Sequence, residues 1–89
     1  MIGQFVTSKA GHDAGTLYIV VGETDDFVYL SDGICKRIDS PKKKRRKHIQ
    51  PVNRLVTGEL LQAIMSGSAT DEKIKFEIRQ YKKSQTTDR

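Results

Sequence analysis

Gly3-Gln4-Phe5-Val6-Thr7-Ser8-Lys9-Ala10-Gly11-His12-Asp13-Ala14-Gly15-Thr16-Leu17-Tyr18-Ile19-Val20-Val21 is the stretch that decides the fold of this chain. Its two ends are apolar and β-prone, and its middle is a polar segment bounded by glycines. Residues 4–8 alternate weakly, with Phe5 and Thr7 on one face and Val6 on the other, which predicts a strand. Residues 16–21 are rich in β-branched and aromatic side chains, and their continuous apolar character predicts a strand buried on both faces at a barrel closure. Residues 9–15 form the loop between them. Gly11 can turn with φ > 0 and leave backbone N–H groups bare, a conformation that lets a loop approach phosphate.

The same reading extends along the chain. Residues 22–26 are a polar turn. Residues 27–30 and 34–38 read as short strands, and Asp32-Gly33 between them is a two-residue hairpin signal. Residues 39–47 form a basic loop broken by Pro41. Residues 48–53 form a last short strand, which Pro51 confines to an edge or a bulge. Composition changes after residue 54. Leu60, Leu61, Ile64 and Met65 recur at helical spacing within residues 56–66, with Thr57 placed to cap and Glu59 in the first turn. Residues 71–83 predict a second helix, with Asp71 and Glu72 at its start, Lys82 and Lys83 at its end, and Ile74, Ile78 and Tyr81 on one face. Ile74, Phe76 and Ile78 also alternate, so a strand is the competing pattern. Residues 84–89 read as a frayed tail. A chain of 89 residues supports one small domain. The expected architecture is mainly β: a small barrel of about five strands over residues 1–54, with a helical extension over residues 55–83 that packs on the barrel and enlarges its thin core.

Charge is concentrated in one place. Residues 36–48 read K-R-I-D-S-P-K-K-K-R-R-K-H and hold eight of the chain's sixteen Lys and Arg, with Asp39 the one acid, for a net charge of +7. The chain as a whole is +5, so the other seventy-six residues carry eight bases against ten acids, net −2. A localised patch of fixed cations suits a polyanion, because each neutralised phosphate releases condensed counterions. The candidate phosphate contacts are Lys42, Lys43, Lys44, Arg45, Arg46 and Lys47. Lys36, Arg37 and Arg54 stand as support, and Lys9, Gly11, His12 and His48 as flanking contributors.

Residues 3–21 have the order strand, glycine loop, strand, and this stretch resembles the KOW motif. With Tyr29-Leu30-Ser31-Asp32-Gly33, the run beginning Pro41-Lys42-Lys43-Lys44, and Lys47-His48-Ile49, the chain resembles the small bacterial KOW-domain RNA-binding proteins. Those are related to a large-subunit ribosomal protein of archaea and eukaryotes. The resemblance covers residues 3 to about 53 and extends loosely to Thr70-Asp71-Glu72-Lys73-Ile74, which is similar to that branch's C-terminal helix. It implies an SH3-like barrel that binds RNA, ribosomal RNA in particular, on or near ribosomes. Members of that branch often have basic residues in the glycine loop. Here His12, Asp13 and Ala14 occupy its middle, which shifts weight to the cations of residues 42–47. The alternative comes from KOW domains of transcription elongation factors, which dock on proteins. On that reading Leu60, Leu61, Ile64 and Ile78 would present an apolar helical face to a transcription or translation protein.

Other functions have less support. Cys35 is the single cysteine, so no internal disulfide can form, and it reads as a half-buried strand residue in a protein of the reducing cytosol. His12 and His48 are too far apart in sequence to suggest a metal site, and no cofactor motif is present. The His12-Asp13 pair lacks a nucleophile or a converging set of groups, so no enzyme is expected. No window approaches a membrane span, and the expected location is the cytoplasm. The run from Pro41 to Lys47 also has the form of a nuclear localisation signal, although such runs match by chance often. Tyr18, Phe27 and Tyr29 could stack on bases, but a small barrel also needs aromatics for its core. The guarded edge at Pro51 suggests a monomer.

Overall fold

The computed structural model describes residues 1–85. Five strands, β1 (Gln4–Ser8), β2 (Leu17–Glu23), β3 (Phe27–Ser31), β4 (Lys42–Arg45) and β5 (Ile49–Leu55), precede two helices, α1 (Gly58–Ser66) and α2 (Asp71–Gln85). The strands form one antiparallel sheet in the order β4-β3-β2-β1-β5. The fold is therefore small and mainly β, with two helices.

The connection between β4 and β5 makes the sheet curl. These strands lie at opposite edges, yet only a 3-10 turn, Arg46–His48, joins them. In a flat sheet the edges would be four strand spacings apart, roughly 19 Å. Four residue steps reach at most about 14 Å. The sheet must bend until its edges approach, and the result is barrel-like. Its interior holds Val6, Tyr18, Val20, Val28, Leu30 and Ile49, side chains from strands that are not all neighbours in the sheet.

The opposite face of β1 and β2 carries Phe5, Leu17 and Ile19, and α1 and α2 cover it with Leu60, Ile64, Ile74 and Ile78. This explains why both Phe5 and Val6 are fully buried, and why residues 17–20 are buried without interruption. One face of β2 lines the interior and the other lies under the helices, so its continuous apolar character comes from helix cover and not from closure of a barrel seam. Phe5 meets Tyr81 of α2 at a ring separation of 5.3 Å. The helical pattern at residues 71–83 prevails over the alternating one because Ile74 and Ile78 both reach this layer. Helix α2 runs on to Gln85, so the expected frayed tail does not begin at Ser84, and the remainder of that expectation (residues 86–89) lies outside the described residues. Thr57 is extended at the start of α1 but makes no side-chain capping bond.

The edge strand β5 has a bulge opposite β1, where Gln4 pairs with Leu55 but Val6 pairs with Pro51. The Gln4 amide fills it, donating to the carbonyls of Val52 at 2.5 Å and Arg54 at 3.1 Å. Pro51 thus lies beside a bulge, as its missing N–H requires.

Two expected elements are different. Residues 34–38 are not a strand, and Asp32-Gly33 is not a hairpin turn. The Asp32 carboxylate accepts the amides of Ile34 and Lys36, both at 2.9 Å, and Ser31 donates to the Lys36 carbonyl at 2.7 Å. These side chains claim the groups that a paired strand would have used. Cys35 is consequently exposed in a loop and not half-buried in a strand. Asp71, at the first turn of α2, fastens the same loop by accepting from the Ile38 amide at 2.7 Å and pairing with Arg37 at 3.1 Å. The second difference concerns the basic loop of residues 39–48. Most of it is ordered as β4 and the following 3-10 turn, because Lys42–Arg45 pairs along the whole of residues 27–30.

Gly33 is where the loop meets α2. Its φ is +76°, and a Cβ there would collide with the Asp71 carbonyl oxygen and lie 2.9 Å from the Lys75 amide nitrogen. Gly15 has φ +88°, but a Cβ at that position would meet nothing within 4 Å. The left-handed conformation alone costs an alanine about 1 kcal/mol or more. Gly15→Ala should therefore lower the melting temperature by roughly 4–8 °C, and Gly33→Ala should lower it further. Thermal unfolding of the two variants by circular dichroism checks the order, and equal losses would mean that the loop does not bear on α2.

Candidate nucleic-acid interface

The glycine loop is organised around Asp13. Its carboxylate accepts from the Tyr18 hydroxyl at 3.0 Å, from the Lys44 ammonium at 2.9 Å, and from the Ser8 hydroxyl at 3.0 Å. Ser8 and Lys44 share Oδ1, while Lys42 approaches Oδ2, the oxygen Tyr18 bonds, at 3.8 Å. Lys44 also donates to the Ala10 carbonyl at 2.9 Å. Strand β4 is thereby tied to the connection between β1 and β2, two positions away in the sheet. Burial pushes the Asp13 carboxyl up, but the hydrogen bonds from Lys44, Ser8 and Tyr18 and the Lys44 charge outweigh it and hold the group at about 2. Burial and the bond to Asp13 push the Tyr18 phenol well above its ordinary range.

This arrangement divides the basic run into two sets. Residues of β4 alternate, with Lys42 and Lys44 turned inward and Lys43 and Arg45 exposed. Lys44 is only 10% exposed, and its ammonium is engaged by Asp13 and by the Ala10 carbonyl. Lys42 is partly engaged in the same way. Arg46 is engaged as well. It pairs with Glu23 at 2.8 Å and donates to the carbonyls of Thr24 and Asp25, closing the β2–β3 turn onto the end of β4. The Arg46 bond and the N-terminal amine hold the Glu23 carboxyl below its ordinary value.

Lys43, Arg45 and Lys47 remain exposed. Arg37 is exposed but paired with Asp71, and Lys36 is half-buried in the loop before β4. Arg54 lies over the neighbouring rings of Phe5 and Tyr81, at 5.8 and 5.7 Å from their centres, on the helix-covered side. Lys9 and His12 are exposed on the glycine loop, while the His48 carbonyl accepts the Lys9 amide at 2.7 Å. Gly11, with φ +88°, lies in a stretch where the amides of Ala10, Gly11, His12 and Asp13 have no acceptor among the described residues.

Strand pairing brings together a set of residues that the basic run alone does not reveal. Phe27 pairs with Arg45 and Tyr29 with Lys43, so all four share the outer face of β3 and β4. Lys43 and Arg45 lie over the Phe27 ring, at 4.3 and 5.1 Å from its centre. Tyr18 is not part of this platform. It is buried in the interior with its hydroxyl on Asp13. The apolar face of the helices is also occupied, since Leu60, Ile64 and Ile78 are buried against β1 and β2 and Leu61 packs on the same cluster. The sequence signal for the platform is the alternation of Phe27 and Tyr29 with Val28 and Leu30, which becomes readable only once β4 is known to pair there.

The Asp13 cluster predicts an acid-sensitive stability. The carboxyl is depressed in the folded protein, from an ordinary 3.8 to about 2, so its contribution is complete above about pH 4 and is lost as pH falls toward 2. The contribution is about 2 kcal/mol at neutral pH. Asp13→Asn should be destabilised by at least that amount at pH 7, since Lys44 loses its counter-ion, and the gap from wild type should close between pH 4 and 2. Urea titrations across this range check it, and a gap independent of pH would remove the ion pair from the explanation. No protein-family model matches this chain, and no curated protein matches it either.

Proposed function

We propose that this chain is a non-catalytic RNA-binding module of the SH3-like KOW type, and that it holds an unpaired segment of a structured RNA across the outer face of β3 and β4. The observation that carries this reading is the interleaving of Phe27 and Tyr29 with Lys43 and Arg45 on one exposed sheet face. Aromatic rings offer stacking surfaces to bases while cations meet the phosphates between them, which is the combination a single strand requires. Lys47 and Lys9 extend the positive surface, and the bare amides of residues 10–13 offer further phosphate contacts. The strand–glycine loop–strand order, with Val6 paired to Tyr18 across the loop, supports the KOW reading. The resemblance supports ribosomal RNA as the natural ligand and the translation machinery in the cytoplasm as its setting.

With Lys43, Arg45, Lys47 and Lys9 on phosphates, the log–log salt slope on single-stranded RNA is about −3, so affinity falls on the order of fiftyfold between 50 and 200 mM salt. The double variant Lys43→Gln/Arg45→Gln should lose about tenfold or more in affinity for an RNA hairpin with an unpaired loop and flatten the slope by about 1.4. A charge-matched control on α2, Lys73→Gln/Arg79→Gln, should stay within about twofold. Fluorescence anisotropy over a salt series reads both. Equal losses in the two variants would reduce the interaction to net charge, and unchanged affinity in the first would remove the platform from the interface.

A further inference from the structure

A cleft of about 380 Å³ opens beside the platform, between the outer face of β2 and β3, the loop before β4, and the end of α1. Tyr29 belongs both to the platform and to the cleft. Its ring lies over Gly22, where a Cβ would stand 3.4 Å from the ring carbon Cδ2, so the glycine leaves the tyrosine room to lie against the strand. Ile38 and Pro41 form one wall and Ile64 another. Against these apolar walls, the side-chain polar groups are the Tyr29 hydroxyl and the Asp39 carboxylate, and neither has a hydrogen-bond or ion-pair partner among the described residues. A small, largely apolar cleft with a few polar side chains at its walls is the usual form of a small-ligand site.

Asp39 is otherwise hard to account for. It is the single acid within residues 36–48, where eight cations surround it in sequence. For phosphate binding it is a liability, because it cancels one of those charges. For reading a base edge it is useful, because a carboxylate accepts hydrogen bonds from ring N–H and amino groups. We infer that this cleft takes one unpaired guanine base, stacked on Tyr29 and selected by Asp39. Guanine presents a ring N–H and an amino group side by side, which match the two oxygens of a carboxylate. Adenine and cytosine each offer only the amino group. Uracil offers one N–H between two carbonyl oxygens, which the carboxylate repels. The order of preference is therefore guanine, then adenine or cytosine, then uracil. The cations Lys43 and Arg45 on the adjoining strand supply the phosphate contacts that hold the flanking backbone. This inference deepens the RNA-binding reading and rests on it.

The test uses the full chain and four hexanucleotide RNAs: oligouridine, and oligouridine with one internal G, A or C. Binding is measured by competition at 50 mM salt. One guanine should raise affinity on the order of tenfold over oligouridine, and adenine or cytosine by less. Asp39→Asn should abolish the guanine gain and raise oligouridine affinity, since it removes a negative charge beside the phosphate contacts. Since Asp39 is exposed and has no partner among the described residues, this variant should fold as the wild type does. Amide shifts at Gly22 and Tyr29 on adding guanosine monophosphate, absent with uridine monophosphate, would place the base in the cleft. Oligouridine binding with no guanine gain, or a gain that survives Asp39→Asn, would overturn the pocket and leave the RNA-binding platform standing. Failure of all four RNAs to bind would overturn both.

Discussion

The contact on which the remaining structure depends is the one between Lys44 and Asp13. It joins the edge strand β4 to the loop between β1 and β2 across the interior of a curled sheet, and Ser8 and Tyr18 complete the coordination of the carboxylate. A partly buried charge pair is stable when its hydrogen bonds are satisfied. Here every oxygen of the carboxylate has donors, and no buried side-chain polar atom among the described residues lacks a partner. The glycine loop is accordingly an ordered part of the barrel. Its acid has a structural role that a basic residue at position 13 could not fill.

Fixing Lys44 inward also fixes which cations face solvent. Side chains of a strand alternate between faces, so anchoring Lys44 sends Lys43 and Arg45 outward, over Phe27 and next to Tyr29. The basic run therefore does two kinds of work. Lys42, Lys44 and Arg46 hold the sheet together through Asp13 and Glu23, while Lys43, Arg45 and Lys47 are available to a partner. Pairing with β3 also relieves the mutual repulsion expected of consecutive cations, because alternate charges point to opposite faces and two acids neutralise part of the inward set.

The helices give the small barrel the second apolar layer it needs. A domain of this size buries little surface by itself. Phe5, Leu17 and Ile19 on the outside of β1 and β2 would be exposed without α1 and α2. Asp71 and Gly33 set where α2 lies, one by accepting from the loop before β4 and the other by admitting the helix backbone at close range. The same loop contributes Ile38, Asp39 and Pro41 to the cleft, so helix docking and cleft shape are linked through one short segment.

The strand–glycine loop–strand unit, the edge or bulge position of Pro51, both helices and the concentration of charge were legible in the sequence. Each is written locally, in apolar periodicity, in glycine, in proline or in the order of charges along a helix. The division of the basic run was not legible. Lys42, Lys43, Lys44 and Arg45 are chemically alike, so a strand made of them has no apolar–polar alternation to mark it, and a run of cations reads as a loop. Asp32-Gly33 misled for a related reason, since the same two residues suit a hairpin and a loop that fits beneath a helix. Only tertiary structure separates these cases. The short link from β4 to β5 curls the sheet, the curl brings Asp13 to Lys44, and that one partly buried pairing determines which cations turn inward and which face solvent.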